Sequence, residues 1–339
     1  MSTIYKNILN ILAAIILAVI LLFVWEMYVP KSFAGAEVVR YNAQSGMGAK
    51  EISTDLKEKG IIKSSLFFDI YAFMTGRHGK LQAGLYDVSP SMSVASIINA
   101  LEKGKVATNK ITVIEGWNVR DIANYLQEKN IYDKEAFSKA LDTDFTEQFS
   151  FLHDKPKKLD LEGYIFPDTY QILVGADAED FLNIALQNFD KKLTPAMRGQ
   201  ITKDKRSIFQ VVTMASIIEK EVNLPADKKI VSGILWKRLA SGMPLQVDAT
   251  INYITDKNHP GVTLTDTKID SPYNTYKYYG LPLGPISNPG LDSLMAAVYP
   301  EKSLYWYYLS EPKEGKTIFS KTLEEHNAAI AKYLTNPSK

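Results

Sequence analysis

The chain has 339 residues, 46% of them apolar and 23% charged, with a formal net charge of +1, four histidines and no cysteine. That length and apolar share allow a sizeable core, in one large domain or two to three small ones. The balanced charge, with no long basic block, argues against nucleic acid as the main partner. The missing thiols exclude thiolate zinc and iron–sulfur centres, and the scattered histidines leave little for any other metal site, so neither metal nor cofactor is expected.

From Asn7 to Trp25 the sequence NILNILAAIILAVILLFVW has 19 consecutive uncharged residues. A helix of that length spans roughly the 30 Å hydrocarbon core of a bilayer. Trp25 and Tyr28 stand where interfacial aromatics belong. A signal peptide has an apolar region of about 7–15 residues. This one is longer, so an uncleaved anchor over 7–29 is expected, although SFAGA at 32–36 has the small residues of a cleavage site. Lys6, Glu26 and Lys31 are too few to orient it. A cysteine-free chain suits an oxidising compartment.

A linker over 30–37 leads to a strand near Val38–Tyr41, and then an internal repeat begins. EISTDLKEKGIIKSSLFF (51–68) is similar to DIANYLQEKNIYDKEAF (121–137) at an offset of 70, matching Ile52 to Ile122, Leu56 to Leu126 and Ile61 to Ile131. Each copy follows a strand-like run and a glycine-bearing turn, and each reads as strand, turn, amphipathic helix and second helix. Two copies are too few for a solenoid, so they are read as two related α/β units. The first closes with a strand over Gly84–Val88 and a helix over Val94–Leu101. Its strand–helix–helix–strand pattern, over 38–106, resembles LysM modules, which bind N-acetylglucosamine-containing glycans; a plain spacer has the same pattern. The second unit, 107–158, opens a larger domain over 107–335.

In that domain LEGYIFPDTYQI is apolar and aromatic. A polar helix follows over Ala178–Lys192, then a polar lead-in at Thr202–Lys205, then FQVVTMASIIEKEVNL (209–224) and an amphipathic helix over Ala226–Ala240. After Gly242 helical periodicity stops. QVDATINYIT, SPYNTYKYYGLPLGPISNPG and LYWYYLSEPKEGKTIF look turn-rich, aromatic and strand-like, the last with alternating buried rings, while helices are expected over Leu291–Val298 and Leu323–Leu334. The fold class is therefore α+β: one N-terminal transmembrane helix, a small LysM-like unit and a larger mixed α/β domain.

On a 3.6-residue period, Ile208, Val212, Ala215 and Val222 lie within about 60° of Glu219, with Ser216 at the edge. Glu221 points about 160° away, alongside Met214 and Ile217. A carboxyl on such an apolar face is desolvated, which favours its protonated form, as a general acid requires. Ala215 and Ser216 would leave room for a substrate over Glu219. The same pattern also permits both glutamates to surface at the helix end and pair with Lys220, Lys228 or Lys229. Asp248, Glu162 and Asp168 are competing carboxylates; a water-using glycosidase needs two flanking one bond.

Five motifs in order, LEGYIFPDTY (161–170), ASIIEKE (215–221), LQVDATINY (245–253), SPYNTY (271–276) and GLPLGPISNPG (280–290), resemble those of the endolytic murein transglycosylase family, the MltG-like or YceG-like proteins. The resemblance covers nearly the whole chain. It implies a protein of the cytoplasmic (inner) membrane with residues 1–6 inside and the catalytic domain outside. It also implies cleavage of nascent peptidoglycan strands at the MurNAc–GlcNAc β-1,4 bond, leaving 1,6-anhydro-MurNAc ends. The catalytic glutamate of the family maps onto Glu219. One residue then serves as acid and afterwards as base, and no second carboxylate is needed. Gln246, Asp248, Ser271, Tyr273, Asn274, Thr275 and Tyr276 are expected to bind the sugar, Ser271 and Thr275 through the acetamido carbonyl, and Glu221 and Glu162 to support the site. Penicillin-binding proteins of cell-wall synthesis are the implied protein partners. Two other readings stay open: a membrane-anchored glycan-binding scaffold without activity, and a hydrolase using Glu219 as acid and Asp248 as base.

Overall fold

The computed structural model describes residues 2–32, 37–44, 46–104, 107–256, 262–311 and 315–334, with side chains from residue 7. Residues 33–36 of the expected 30–37 linker, most of its small-residue stretch, His259 and the chain end after 334 lie outside the described residues. The chain forms two compact units, Met1–Asn109 with Gln171–Gly175, and Lys110–Tyr170 with Ala176–Lys339.

In the first unit a long apolar helix, α1 (Ser2–Tyr28), precedes β1 (Val39–Ala43), α2 (Ala49–Glu58), α3 (Ser65–Met74), β2 (Gly84–Val88) and α4 (Val94–Glu102). β1 and β2 are antiparallel, with Tyr41 opposite Tyr86. Period-2 alternation turns both rings into the core, where Ile52 and Leu56 of α2, Phe68 and Ala72 of α3 and Ile97 and Leu101 of α4 meet them. Met27, near the end of α1, is fully buried in the same cluster, whereas residues from Asn7 to Leu22 are exposed. The last turn of α1 is thus part of this core.

β3 (Thr108–Thr112) and β4 (Thr169–Leu173) pair with each other, and each has residues in both units. Between them lie α5 (Val119–Glu128) and α6 (Lys134–Leu141), and after them α7 (Ala178–Lys192), α8 (Pro195–Lys203), α9 (Ile208–Glu221), α10 (Pro225–Ala240), α11 (Asp248–Thr255), α12 (Leu291–Val298), the hairpin β5 (Tyr307–Ser310) and β6 (Thr317–Ser320), and α13 (Leu323–Tyr333). The class is mixed α+β, as the sequence pattern indicates.

α9 is the hub, packed against α8, α10, α11 and α12. Its start is fixed twice: Ser207 and Gln210 form a capping box, and Asp154 Oδ2 accepts the Ile208 N–H at 2.7 Å. Every residue from Val211 to Ile218 is buried. The large apolar side chains among them contribute on the order of 10 kcal/mol as an upper bound. Gly163 comes close to this helix: with φ at +88° it is left-handed, and a Cβ there would lie 2.8 Å from Val212 and 2.6 Å from Pro285. The LEGYIF segment is thereby held against both α9 and the GLPLGPISNPG segment.

Four expectations need correction. SPYNTYKYYGLPLGPISNPG, expected as strand-like, forms turns and no strand, and QVDATINYIT, expected likewise, supplies the helix α11. Its β-branched residues suggested a strand, but packing on α9 and the Thr250 hydroxyl bonding Val247 O (2.8 Å) and Thr275 Oγ1 (3.0 Å) override that propensity. Part of the polar lead-in at 202–205 belongs to α8, which Thr194 caps just before Pro195. The rings of LYWYYLS do not alternate in and out: Tyr307 and Tyr308 are both half-buried.

Candidate active site

Glu219 lies in the last turn of α9, its side chain only 9% exposed. Its Oε1 accepts from Lys228 Nζ of α10 at 3.2 Å, and Lys228 is itself buried. Its Oε2 accepts the Gly290 N–H, at the start of α12, at 2.9 Å. A helix N-terminus and an ammonium group thus converge on one carboxyl. Lys228 was one of three lysines the sequence offered; the partner is chosen by the turn at Val222–Leu224 that folds α10 back on α9.

A second carboxyl approaches the same place. Glu115, in the loop after β3, lies against Gly290 so closely that a Cβ there would sit 2.0 Å from its Oε1. Backbone dimensions then put Glu115 Oε1 and Glu219 Oε2 at most about 7 Å apart. Burial raises the Glu115 pKa, the Glu219 charge raises it further, and Lys228 opposes both. The adjacent Gly116 backs onto the Glu219 side chain, and its carbonyl accepts from Lys220 Nζ at 3.3 Å.

Two loops are locked together behind these groups by Glu162 and Asn288. Glu162 Oε1 accepts from Asn288 Nδ2 at 3.2 Å, and Oε2 accepts from the Val119 N–H at 3.0 Å and the Tyr253 hydroxyl at 3.4 Å. Burial pushes the Glu162 carboxyl up to about 8, against the opposing pull of the Val119 N–H. Asn288, fully buried, also bonds the Trp117 carbonyl through Nδ2 (3.0 Å) and its own N–H (2.7 Å), while its carbonyl accepts from Gly116 N–H at 2.9 Å. The 115–119 loop and the 288–290 segment therefore hold one spacing.

The expected opening above Ala215 and Ser216 is absent. Both are fully buried, and Ser216 is spent on the loop: its Oγ accepts from Ile286 N–H at 3.0 Å and its carbonyl from Ser287 Oγ at 3.1 Å. The small residues make room for backbone, because GPISNPG must reach Glu219 with its amide.

Glu221 faces another set of partners. Its Oε2 accepts from Tyr308 OH at 2.9 Å and its Oε1 from Ala249 N–H at 3.4 Å. Burial pushes it up to about 7; the Tyr308 hydrogen bond opposes this and the Asp248 charge adds to it. Asp248 is exposed and accepts a short hydrogen bond from Tyr276 OH. It belongs with Glu221 and Tyr276, while the carboxyl beside Glu219 is Glu115.

The other expected binding residues divide. Gln246 is exposed, with a left-handed φ of +51°. Ser271, Tyr273 and Tyr276 are half-buried. Asn274 and Thr275 are buried and occupied internally. The Asn274 amide bonds Thr267 and Ile269 carbonyls at 3.0 and 2.8 Å, and Thr275 Oγ1 accepts from Val247 N–H at 3.0 Å. These two build the SPYNTY turn and offer no free side-chain atom to a sugar. Tyr278 and Tyr279 are exposed and not core. Tyr273 packs on Tyr253 with ring centroids 5.0 Å apart. Both line a polar cavity of about 550 Å³ with Asp144, Lys155, Lys158 and Asp160. Glu115, Asn288 and Gly290 had no local signal beyond their turn-forming neighbours, because what selects them lies across the fold.

The YceG-like family model matches residues 41–332. The chain is 34% identical over 313 residues to the endolytic murein transglycosylase of Bacillus subtilis, covering 89% of this chain and 86% of that one. It is 30% identical over 341 residues to the protein of the same name from Streptococcus pneumoniae, covering 93% of this chain and spanning 62% of that longer relative. A crystal structure of a YceG-like protein from Listeria monocytogenes superposes with a TM-score of 0.60 at 34% identity, over 87% of this chain and all of that one. Extending from the first strand to the last helix, these likenesses take in both units and every group around Glu219, and the chain belongs to the YceG-like family.

Proposed function

We propose that this protein is an endolytic lytic transglycosylase of peptidoglycan. It is held at the cytoplasmic membrane by α1, with its catalytic part on the outer side. The observation that carries this reading is the Glu219 carboxyl itself, at the end of a buried helix with one oxygen on Lys228 and the other on the Gly290 N–H. Glu219, protonated, gives its proton to the glycosidic oxygen between MurNAc and GlcNAc, and the C1–O bond breaks. Positive charge developing at C1 is shared with the MurNAc acetamido group. The Lys228 ammonium and the Gly290 N–H stabilise the carboxylate this leaves behind. The carboxylate then takes the proton of the C6 hydroxyl as that oxygen bonds C1, closing the 1,6-anhydro ring and regenerating the acid. No water enters. Tyr273, Tyr276, Gln246 and Asp248 supply ring and polar surface for the sugars.

The nearness of Glu115 favours one alternative, a hydrolase in which that second carboxylate activates water. Mass spectrometry of digested glycan strands separates the two. Anhydro-MurNAc ends support the transglycosylase, reducing MurNAc ends the hydrolase, and no cleavage a scaffold that only binds glycan. The LysM-like first unit as a glycan contact, and cell-wall synthesis enzymes such as penicillin-binding proteins as partners, belong to the same proposal; glycan pull-down and crosslinking in cells test them.

A further inference from the structure

The helix α3, SLFFDIYAFM, leaves an apolar face uncovered in the first unit. Leu66 is 63% exposed, Ile70 36%, Phe73 77% and Met74 71%. Their spacing of i, i+4, i+7 and i+8 places them within one arc of about 100°. Phe68 and Ala72, on the opposite face, are fully buried in the core. Between the two faces, Phe67 and Tyr71 pack on the end of α1, with Phe67 6.0 Å from the Phe23 ring and Tyr71 6.5 Å edge-on to Tyr28.

The second copy of the internal repeat shows that this face is not a requirement of the fold. Aligning the helix caps Ser64 and Asp133 brings the buried Phe68 onto the buried Phe137. Leu66, Ile70, Phe73 and Met74 then fall on Glu135, Lys139, Asp142 and Thr143. The same helix turn can be built with a polar outside, and in α6 it is.

We infer that the exposed face of α3 is a lipid-contacting surface that seats the first unit on the bilayer where α1 emerges. The inference rests on α1 being the membrane anchor, and it commits to lipid because the face is continuous with that anchor. Phe23 lies inside the apolar span Asn7–Tyr28. The contacts with α3 run from Phe23 to Tyr28, about 7.5 Å along the helix axis. That is the depth, about 5–10 Å, to which an interfacial amphipathic helix sinks at the headgroup boundary. Trp25 and Tyr28 mark the same level. Lys63 lies 5.6 Å from the Trp25 ring centroid and donates to the Val29 carbonyl at 3.1 Å. Arg77, paired with Glu102, and the exposed His78 and Lys80 follow α3 directly, where anionic headgroups attract basic groups.

The chain has no cysteine, so single labels can be placed at will. The full chain carrying Phe73→Cys, Ile15→Cys or Lys57→Cys, each with an environment-sensitive fluorophore, is reconstituted into phosphatidylethanolamine–phosphatidylglycerol vesicles. The vesicles contain spin-labelled lipids that quench at shallow or deep positions. The expected result is loss of emission at 73 with the shallow quencher, loss at 15 with the deep one, and no loss at 57, on α2. Quenching at 15 without quenching at 73 overturns the inference and leaves the anchor standing. No quenching at either position removes the anchor and the inference with it. A label at 73 that is shielded from aqueous iodide but untouched by lipid quenchers also overturns it, because a protein then covers the face.

Discussion

The two units depart in opposite directions from the rule that places apolar groups inside and charge outside. The first exposes Phe73, Met74 and Leu66 on a helix whose other face is core. The second buries Glu162, Lys228 and Arg238, and sets Glu219 and Glu221 at the end of its most buried helix. Both departures cost free energy, by apolar hydration in one and by desolvation of charge in the other. Each unit gathers its exceptions in one place, an exposed helix face in the first and a set of buried charged groups in the second. The repeat sharpens the point, because its polar copy α6 and its apolar copy α3 share a fold but not a surface. The hydrogen bonds around Glu219 sharpen it too, because its desolvation is offset by a built set of donors.

The comparison can be broken first at Glu219. Glu219→Gln is expected to lower glycan cleavage by roughly 10²–10⁴-fold, the usual share of acid–base catalysis; near-normal turnover in a product assay would falsify the assignment. Next comes the buried pair. Lys228→Met leaves the Glu219 carboxyl without its cation and should cost about 3–5 kcal/mol, read as a lower Tm. The double variant Glu219→Gln/Lys228→Met should recover most of that stability and none of the activity. If the single and double variants melt alike, the pair does not hold the site together.

The buried carboxyls set a third, intermediate effect. Glu162 and Glu221 are pushed up to about 8 and about 7 from an ordinary 4.5. Between pH 4.5 and 8 the folded state therefore binds more protons than the unfolded chain, so stability falls as pH rises through that window. Glu162→Gln and Glu221→Gln mimic the neutral form, and the melting temperature of each should fall less steeply with pH than that of the parent. Parallel pH curves would show that burial at these positions is compensated. The smallest effect belongs to α3. Phe73→Ser, on the exposed face, should change stability by no more than about 0.5 kcal/mol, against about 3–5 kcal/mol for Phe68→Ala on the buried face. A large loss at Phe73 in detergent-solubilised protein would place that ring in a core.

Much of this was written in local order. An uncharged run long enough to cross a bilayer, the strand at Gly84–Val88 and the helices at Ala178–Lys192 and Leu291–Val298 follow from periodicity and caps, because each depends on residues a few positions apart. Periodicity also separated Glu219 from Glu221, since residues two apart on a helix point to different sides. α11 was not legible, as its β-branched composition is overruled by contacts with α9 and Thr275. Nor were the partners that hold the Glu219 carboxyl in place. Lys228 comes from the next helix, Gly290 from 71 residues downstream and Glu115 from a loop after β3. A carboxyl's chemistry depends on which donors and charges lie within a few ångströms, and a helical period says only which side of the helix they must come from. The sequence by itself determined that face; the packing of α9 against α10 and α12 decided what stands on it.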